Sequence, residues 1–195
     1  MIIYFEGLAC VGKTTLVNYL EKHITSAITI SELPKNYLEL GKITDALCRR
    51  NDERKCTEAK ESNKKYDFTL VDRGYASTLV YNFIEYASKV SNEYLTTLSW
   101  YMSGILTHRL VKPDLYIYIT LDAKTAIKRA KQLNRLSTKY AWFNYPQIGL
   151  TAYDFFFKFL EPEVPRLVID GNLTLKQQVS LINQELVKHN YTKRT

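Results

Sequence analysis

The chain has 195 residues, 46% apolar and 24% charged, with a formal net charge of +7. That length suits one domain that can bury a core without disulfide or metal staples. No run approaches the roughly 20 apolar residues of a membrane span. Three cysteines, Cys10, Cys48 and Cys56, fit no zinc spacing and point to free thiols in a reducing cytosol. The scattered histidines suggest no metal site. The opening residues have no basic region of the secretory kind, so a cytoplasmic location is expected.

An apolar β-type run opens the chain and leads into Gly7-Leu8-Ala9-Cys10-Val11-Gly12-Lys13-Thr14-Thr15. A helical pattern follows, with Leu16, Val17 and Leu20 on one side. Gly-x-x-x-x-Gly-Lys-Thr between a strand and a helix is the Walker A spacing. Glycines allow the backbone N–H groups to converge on an anion, and the helix N-terminus adds about half a positive charge. The whole stretch from Gly7 to Thr15 is therefore expected to cradle a nucleotide's phosphates. Lys13 is placed to reach the β- and γ-phosphates, and Thr14 to ligate Mg²⁺.

Residues 27–30 read as a second strand, ending near Glu32 and Pro34. Glu32 is a candidate base or acceptor for a sugar hydroxyl, or simply a turn residue before the proline. Residues 37–47 look helical. Residues 49–65 carry dense mixed charge and read as a solvated helix, from which Arg49, Arg50 or Arg54 could reach a ligand. Residues 68–71 form a third strand and deliver Asp72 in the Walker B position, a second candidate for Mg²⁺. Arg73, beside it, aims another cation at the same crevice.

Two amphipathic helices are expected over residues 77–90 and 93–111, the second with Leu95, Leu98, Met102, Ile105, Leu106 and Leu110 inward. Strand four covers residues 115–121, and a helix over 122–134 follows with Ala126, Ile127, Ala130 and Leu133 inside. Lys128, Arg129, Lys131 and Arg135 lie on that helix and its exit. Arg129 and Arg135 are candidates to close on transferring phosphates, against a plain basic face. Residues 135–148 read as irregular and residues 151–160 as an aromatic helix, whose rings suit a core or subunit interface better than base stacking. Strand five, residues 166–169, and a helix over 173–189 complete the chain.

Strands that are continuous apolar runs alternate with helices, the pattern of an α/β fold with a five-stranded parallel sheet covered by helices on both faces. Ligands of such sheets bind outside the carboxyl ends of the strands. The polar residues singled out above mostly follow a strand.

The order and spacing of Gly7 to Thr15, Asp72-Arg73 with Ser77 and Tyr81-Asn82, Pro113-Asp114-Leu115, Ala126 with Arg129, and Ile169-Asp170 resemble the thymidylate kinases over most of the chain. That resemblance implies a P-loop kinase core, ATP and Mg²⁺ as cofactors, a homodimer, and dTMP as acceptor. It gives Arg73 the acceptor phosphate, Lys13 the donor phosphates, and a short lid around residues 129–148 within a single domain over 1–195. Three features depart from it. Ala9 stands where that family usually carries a carboxylate, Glu32-Leu33-Pro34 replaces Glu-Pro-Gly, and the lid lacks a row of arginines. Ala9, Glu32 as a base and Trp100-Tyr101 also resemble the deoxynucleoside kinases.

The expectation is a phosphotransferase that moves the ATP γ-phosphate to a nucleoside monophosphate, dTMP first. The alternatives are a kinase acting on a deoxynucleoside's 5′-hydroxyl and a regulatory nucleotide-binding switch. The switch lacks an Asn-Lys-x-Asp element and has Tyr75 where such proteins use glycine. The partner is expected to be a small nucleotide or nucleoside, with neither nucleic acid nor membrane: no nucleic-acid-binding signature accompanies the +7 charge.

Overall fold

The computed structural model describes residues 1–33, 44–134 and 141–188. Strands β1 (Ile2–Glu6), β2 (Ala27–Ile30), β3 (Phe68–Asp72), β4 (Leu115–Thr120) and β5 (Arg166–Asp170) form one sheet in the order β2-β3-β1-β4-β5. Every pairing is parallel. The crossovers carry α1 (Lys13–His23), α2 (Asp45–Ser62), α3 (Tyr75–Ala87), α4 (Tyr94–Leu106), α5 (Ala123–Gln132), α6 (Ala141–Asn144) and α7 (Pro146–Phe155). A π-helical turn, Phe156–Leu160, continues α7, and α8 (Leu175–Lys188) follows β5. The expected α/β architecture with a five-stranded parallel sheet is present.

Register divides the side chains of the central strands between two layers. Tyr4 pairs with Val71 and Tyr116, and Glu6 pairs with Tyr118, so alternation places these on one face. That face meets α2, α3 and the aromatic turn: Tyr4 touches Tyr75 and Tyr116, and Tyr118 touches Tyr153 and Phe157. Phe5 pairs with Asp72, and both take the opposite face, where α1 lies and Thr14 meets Asp72. Asp114 fixes the start of β4 against β1 by accepting the Ile2 N–H at 2.7 Å.

Several expectations change. The second amphipathic helix is shorter than 93–111, and Leu95, Met102 and Leu106 face outward, 63%, 52% and 78% exposed. Its buried residues are Thr97, Tyr101 and Gly104, because Tyr101 carries enough apolar surface to set the inward face. Leu133 is likewise exposed. The highly charged helix is not solvated all round: Asn51, Asp52, Lys55, Cys56 and Ala59 are buried on one face of α2. Its inward charges are paired, Lys55 Nζ lying 2.7 Å from Asp52 Oδ1. Arg49 is engaged with Glu93 and Thr97, and Arg54 with Glu58 and Asn51. Where irregular chain was expected, α6 is helical and α7 starts at Pro146, whose fixed φ and missing N–H suit the first helical turn. Residues 37–43 of the expected helix lie outside the described residues; α2 begins after Thr44, whose side chain caps the Leu47 N–H.

The π turn brings Phe156 and Phe157 inward together while Phe155 and Phe159 remain half-exposed. It also delivers Glu161 into the aromatic layer. Glu161 Oε1 accepts from Tyr75 (2.8 Å) and Tyr101 (3.0 Å), and Oε2 from Tyr116 (2.6 Å). One carboxylate thus satisfies three tyrosine hydroxyls drawn from α3, α4 and β4, which lets those rings fill the core without orphaned polar tips. Glu161→Ala should destabilise the fold by about 2 kcal/mol, at roughly 1 kcal/mol per lost bond, because Tyr116 still reaches Tyr75 and Tyr101 the Leu160 carbonyl. Glu161→Gln, which can still accept two of the three bonds, should cost less. Urea unfolding of the two variants checks the order.

Candidate active site

The loop between β1 and α1 is built for close approach. Gly7 sits at φ 138°, and a Cβ there would lie 2.2 Å from the Ile119 carbonyl oxygen. Gly12 has φ 102° and opens onto free space. Cys10 joins them in the left-handed region at φ 64°. These alternations of handedness are what a nest of N–H groups requires. Leu8 and Val11 are buried, anchoring the loop from beneath, while Ala9 and Cys10 are partly exposed and Gly12, Thr14 and Thr15 exposed. The part of the loop open to a ligand is thus mainly backbone and threonine hydroxyls.

Lys13 is buried and donates to the Gly7 and Leu8 carbonyls at 2.9 and 2.6 Å. Burial, with Arg73 beside it, lowers its pKa to about 7. Thr14 donates to Asp72 Oδ2 at 2.6 Å, joining the two residues expected to hold Mg²⁺. Asp72 Oδ1 is buried with no hydrogen-bond partner among the described residues. An orphaned carboxylate oxygen beside a threonine hydroxyl is a donor set that fits Mg²⁺, which takes few protein oxygens and keeps its water and phosphate ligands. No group of three or more metal-binding side chains is present among the described residues.

Arg73 lies at the centre. Its backbone has φ 62°, and its carbonyl accepts from the buried Lys55 Nζ at 2.8 Å. Its guanidinium is 7% exposed as a residue and packs over the Tyr81 ring, 5.1 Å from the centroid. Nη1 donates to the Gly7 carbonyl (2.9 Å) and to Ser77 Oγ (3.1 Å). Nε lies 2.7 Å from Glu32 Oε1. Burial works against its charge, but Glu32, Tyr81, Tyr153 and Asp72 together hold its pKa above the ordinary arginine value. The structure therefore brings Lys13, Thr14, Asp72, Arg73 and Glu32 to one end of the sheet.

Arg129 is engaged elsewhere. From the last turn of α5 it donates to the Gly171 carbonyl (3.0 Å) and Asn172 Oδ1 (3.4 Å), tying α5 to the turn after β5. Arg135 lies outside the described residues.

Sequence reasoning missed Glu6. It ends β1, is fully buried, and accepts from Gly74 N–H (2.7 Å), Ser77 Oγ–H (2.5 Å) and Tyr153 O–H (3.2 Å). Burial pushes its pKa up to about 7, against the opposing pull of the Ser77 and Gly74 bonds and the Arg73 charge. The available signal was a carboxylate closing an apolar strand, on the face where its neighbours point inward.

No protein-family model and no curated protein matches the sequence. Solved structures do match in fold. Deoxyadenosine kinase from M. mycoides with bound dATP superposes with a TM-score of 0.72 at 20% identity, covering 96% of this chain and 100% of that one. The same enzyme with dCMP and dCDP gives 0.70 at 20% identity, with the same coverage. Thymidylate kinase from Candida albicans gives 0.66 at 17% identity, covering 97% of this chain and 92% of that one. The chain thus has the fold of these P-loop kinases.

The Glu6 pKa fixes a sign. A carboxyl whose folded pKa stands above its unfolded value gives stability that is full below pH 4.5 and is lost as pH rises through about 7. Thermal midpoints of the wild type minus those of Glu6→Gln should fall across that window; a flat difference would contradict the assignment.

Proposed function

We propose that the chain is an ATP-dependent phosphotransferase acting on a deoxynucleoside's 5′-hydroxyl. The observation that carries this reading is the Glu32–Arg73 pair, 2.7 Å apart beside the phosphate loop. The acceptor end of the crevice holds Arg73 against the carboxylates of Glu32 and Glu6. A neutral hydroxyl suits that balance better than a dianionic phosphate does, because the arginine is already neutralised. Glu32 is half-exposed, so its carboxylate can meet an incoming hydroxyl.

In this reading the N–H groups of Gly7 to Thr15 hold the donor phosphates and Lys13 moves from the loop carbonyls to them. Thr14 and Asp72 would hold Mg²⁺, which supplies charge neutralisation at the phosphate oxygens. Glu32 takes the proton as the hydroxyl oxygen bonds the γ-phosphorus, the bond to the β-phosphate oxygen breaks, and ADP leaves. Arg73 lies against Glu32 and faces the developing negative charge. Arg129 would have to leave the Gly171 carbonyl to join Arg135 in a lid over residues 129–148 within one kinase domain.

A second reading, a monophosphate acceptor such as dTMP, is favoured by Arg73 itself. Its Glu32 partner is half-exposed, so the pair can open and present a buried, forked cation to a phosphate. The deoxyadenosine and thymidylate kinases of similar fold support the two readings respectively.

We also assign the chain to the cytoplasm, where ATP is supplied; among the described residues no helix is long and apolar enough to cross a membrane. A homodimer accounts for the outward Leu95, Met102 and Leu106 of α4; Tyr86, which packs on Tyr94 of that helix, is also exposed.

Two outcomes are expected. In an ADP-release assay over deoxynucleosides and their monophosphates, Lys13→Ala should abolish transfer with an unchanged circular dichroism spectrum. Glu32→Gln should lower kcat on a nucleoside by about 100-fold or more while ATP affinity holds; if turnover appears only with monophosphates and survives Glu32→Gln, the second reading replaces the first. Separately, Met102→Asp with Leu106→Asp should shift the protein from dimer to monomer in light scattering, and an unshifted mass would remove the dimer assignment.

A further inference from the structure

We propose that Glu6 is a positioning residue for phosphoryl transfer, acting through Ser77 and the Gly74 peptide to aim the Arg73 guanidinium; the catalytic part of this rests on the phosphotransferase reading above. Ser77 Oγ lies 2.5 Å from Glu6 Oε2 and 3.1 Å from Arg73 Nη1. A serine hydroxyl has one proton and two lone pairs. Giving that proton to Glu6 leaves its oxygen free to accept from the guanidinium. Glu6 Oε1 meanwhile accepts the Gly74 N–H at 2.7 Å, pinning the peptide that follows Arg73. Arg73 has φ 62°, a conformation an arginine adopts only when its surroundings enforce it. Glu6 therefore holds Arg73 at its backbone and, through Ser77, at its tip.

The same carboxylate joins the two halves of the site. Glu6 is bonded in the chain to Gly7, whose carbonyl accepts from Lys13 Nζ and Arg73 Nη1, both at 2.9 Å. Tyr153 closes the cluster from α7, with its hydroxyl 2.9 Å from Ser77 Oγ, 3.2 Å from Glu6 Oε2 and 3.2 Å from the Gly7 carbonyl. That hydroxyl has one proton for three oxygens, so it can follow whichever arrangement Glu6 and Ser77 adopt. The phosphate loop and the arginine thus share one rigid support, 0% exposed at Glu6 and 3% at Ser77.

The test compares Glu6→Leu, Glu6→Gln and Ser77→Ala by two readouts. The first is ¹⁵N NMR of the Arg73 guanidinium, whose hydrogen exchange reports its hydrogen bonds whether or not the protein turns over. The second is kcat and KM for ATP with the best acceptor of the nucleoside and monophosphate panel. Expected for Glu6→Leu is loss of the slowly exchanging Arg73 signal and a fall of about 100-fold in kcat, with KM for ATP changed less than threefold. Ser77→Ala should move both readouts in the same direction, and the double variant should be no worse than Glu6→Leu alone. Glu6→Gln should retain the Arg73 signal, since its carbonyl can serve Gly74 while its amide donates to Ser77, whose proton then turns to Tyr153. Protected Arg73 in Glu6→Leu, or losses that multiply in the double variant, would overturn the proposal. If Glu6→Leu does not fold, Ser77→Ala decides: an unchanged Arg73 signal there overturns it equally. Absence of transfer by the wild type to every acceptor would remove the phosphotransferase reading, while the NMR comparison would still decide the Glu6–Arg73 linkage.

Discussion

A guanidinium charge buried at Arg73 is the constraint on which the site depends. Removing an ion from water costs several kcal/mol unless its surroundings replace the lost solvation. Here Glu32, Ser77, the Gly7 carbonyl and the Tyr81 ring surround the group. Lys55 holds the peptide from behind, itself neutralised by Asp52, whose other oxygen accepts from Thr78 at 2.6 Å. Two layers of paired charge therefore stand behind one arginine. Such an arrangement is a poor source of stability, because apolar residues fill a core at lower cost. Its effect is to hold the guanidinium in one place at the end of the sheet, beside the phosphate loop.

The parallel sheet makes this possible by parity. Neighbouring strands end at the same edge, and alternate residues leave on opposite faces. Asp72 leaves β3 toward α1 and meets Thr14, whereas Glu6 leaves β1 toward α3 and meets Ser77. A one-residue change of register would exchange these environments, sending Glu6 to the helix that carries Lys13 and Thr14. The aromatic layer around Glu161 ties α3, α4 and β4 together on the face that Glu6 also takes.

The fold was legible because its signals are local and repeated. Apolar strand runs, the Gly7 to Thr15 spacing and the Asp72-Arg73 step each lie within a few residues and need no knowledge of distant partners. Helix α4 was misread because its leucines have the right spacing for burial, but Tyr101 and the small Gly104 settle which face packs; Gly104 lets Leu110 close against it. The inward charges of α2 were hidden for a related reason. Asp52 and Lys55 look like any helical pair in a charged stretch, and only the three-dimensional position of the Arg73 carbonyl gives Lys55 an inward target. Glu6 was passed over because its partners, Gly74, Ser77 and Tyr153, lie 68, 71 and 147 residues away. Arg129 carried a basic-helix signal that says nothing of the carbonyl it finds at Gly171.

In the proposed reaction the phosphate loop supplies a donor site, and the Glu32–Arg73 pair turns it into a transfer site for a hydroxyl. Everything then turns on the acceptor's chemistry. It is tested most directly by incubating the protein with γ-³²P-labelled ATP and either deoxynucleosides or their monophosphates, and separating the products. The expected result is label in a deoxynucleoside 5′-monophosphate, lost in Glu32→Gln. Label that appears only in nucleoside diphosphates, or only as inorganic phosphate, would contradict a hydroxyl acceptor.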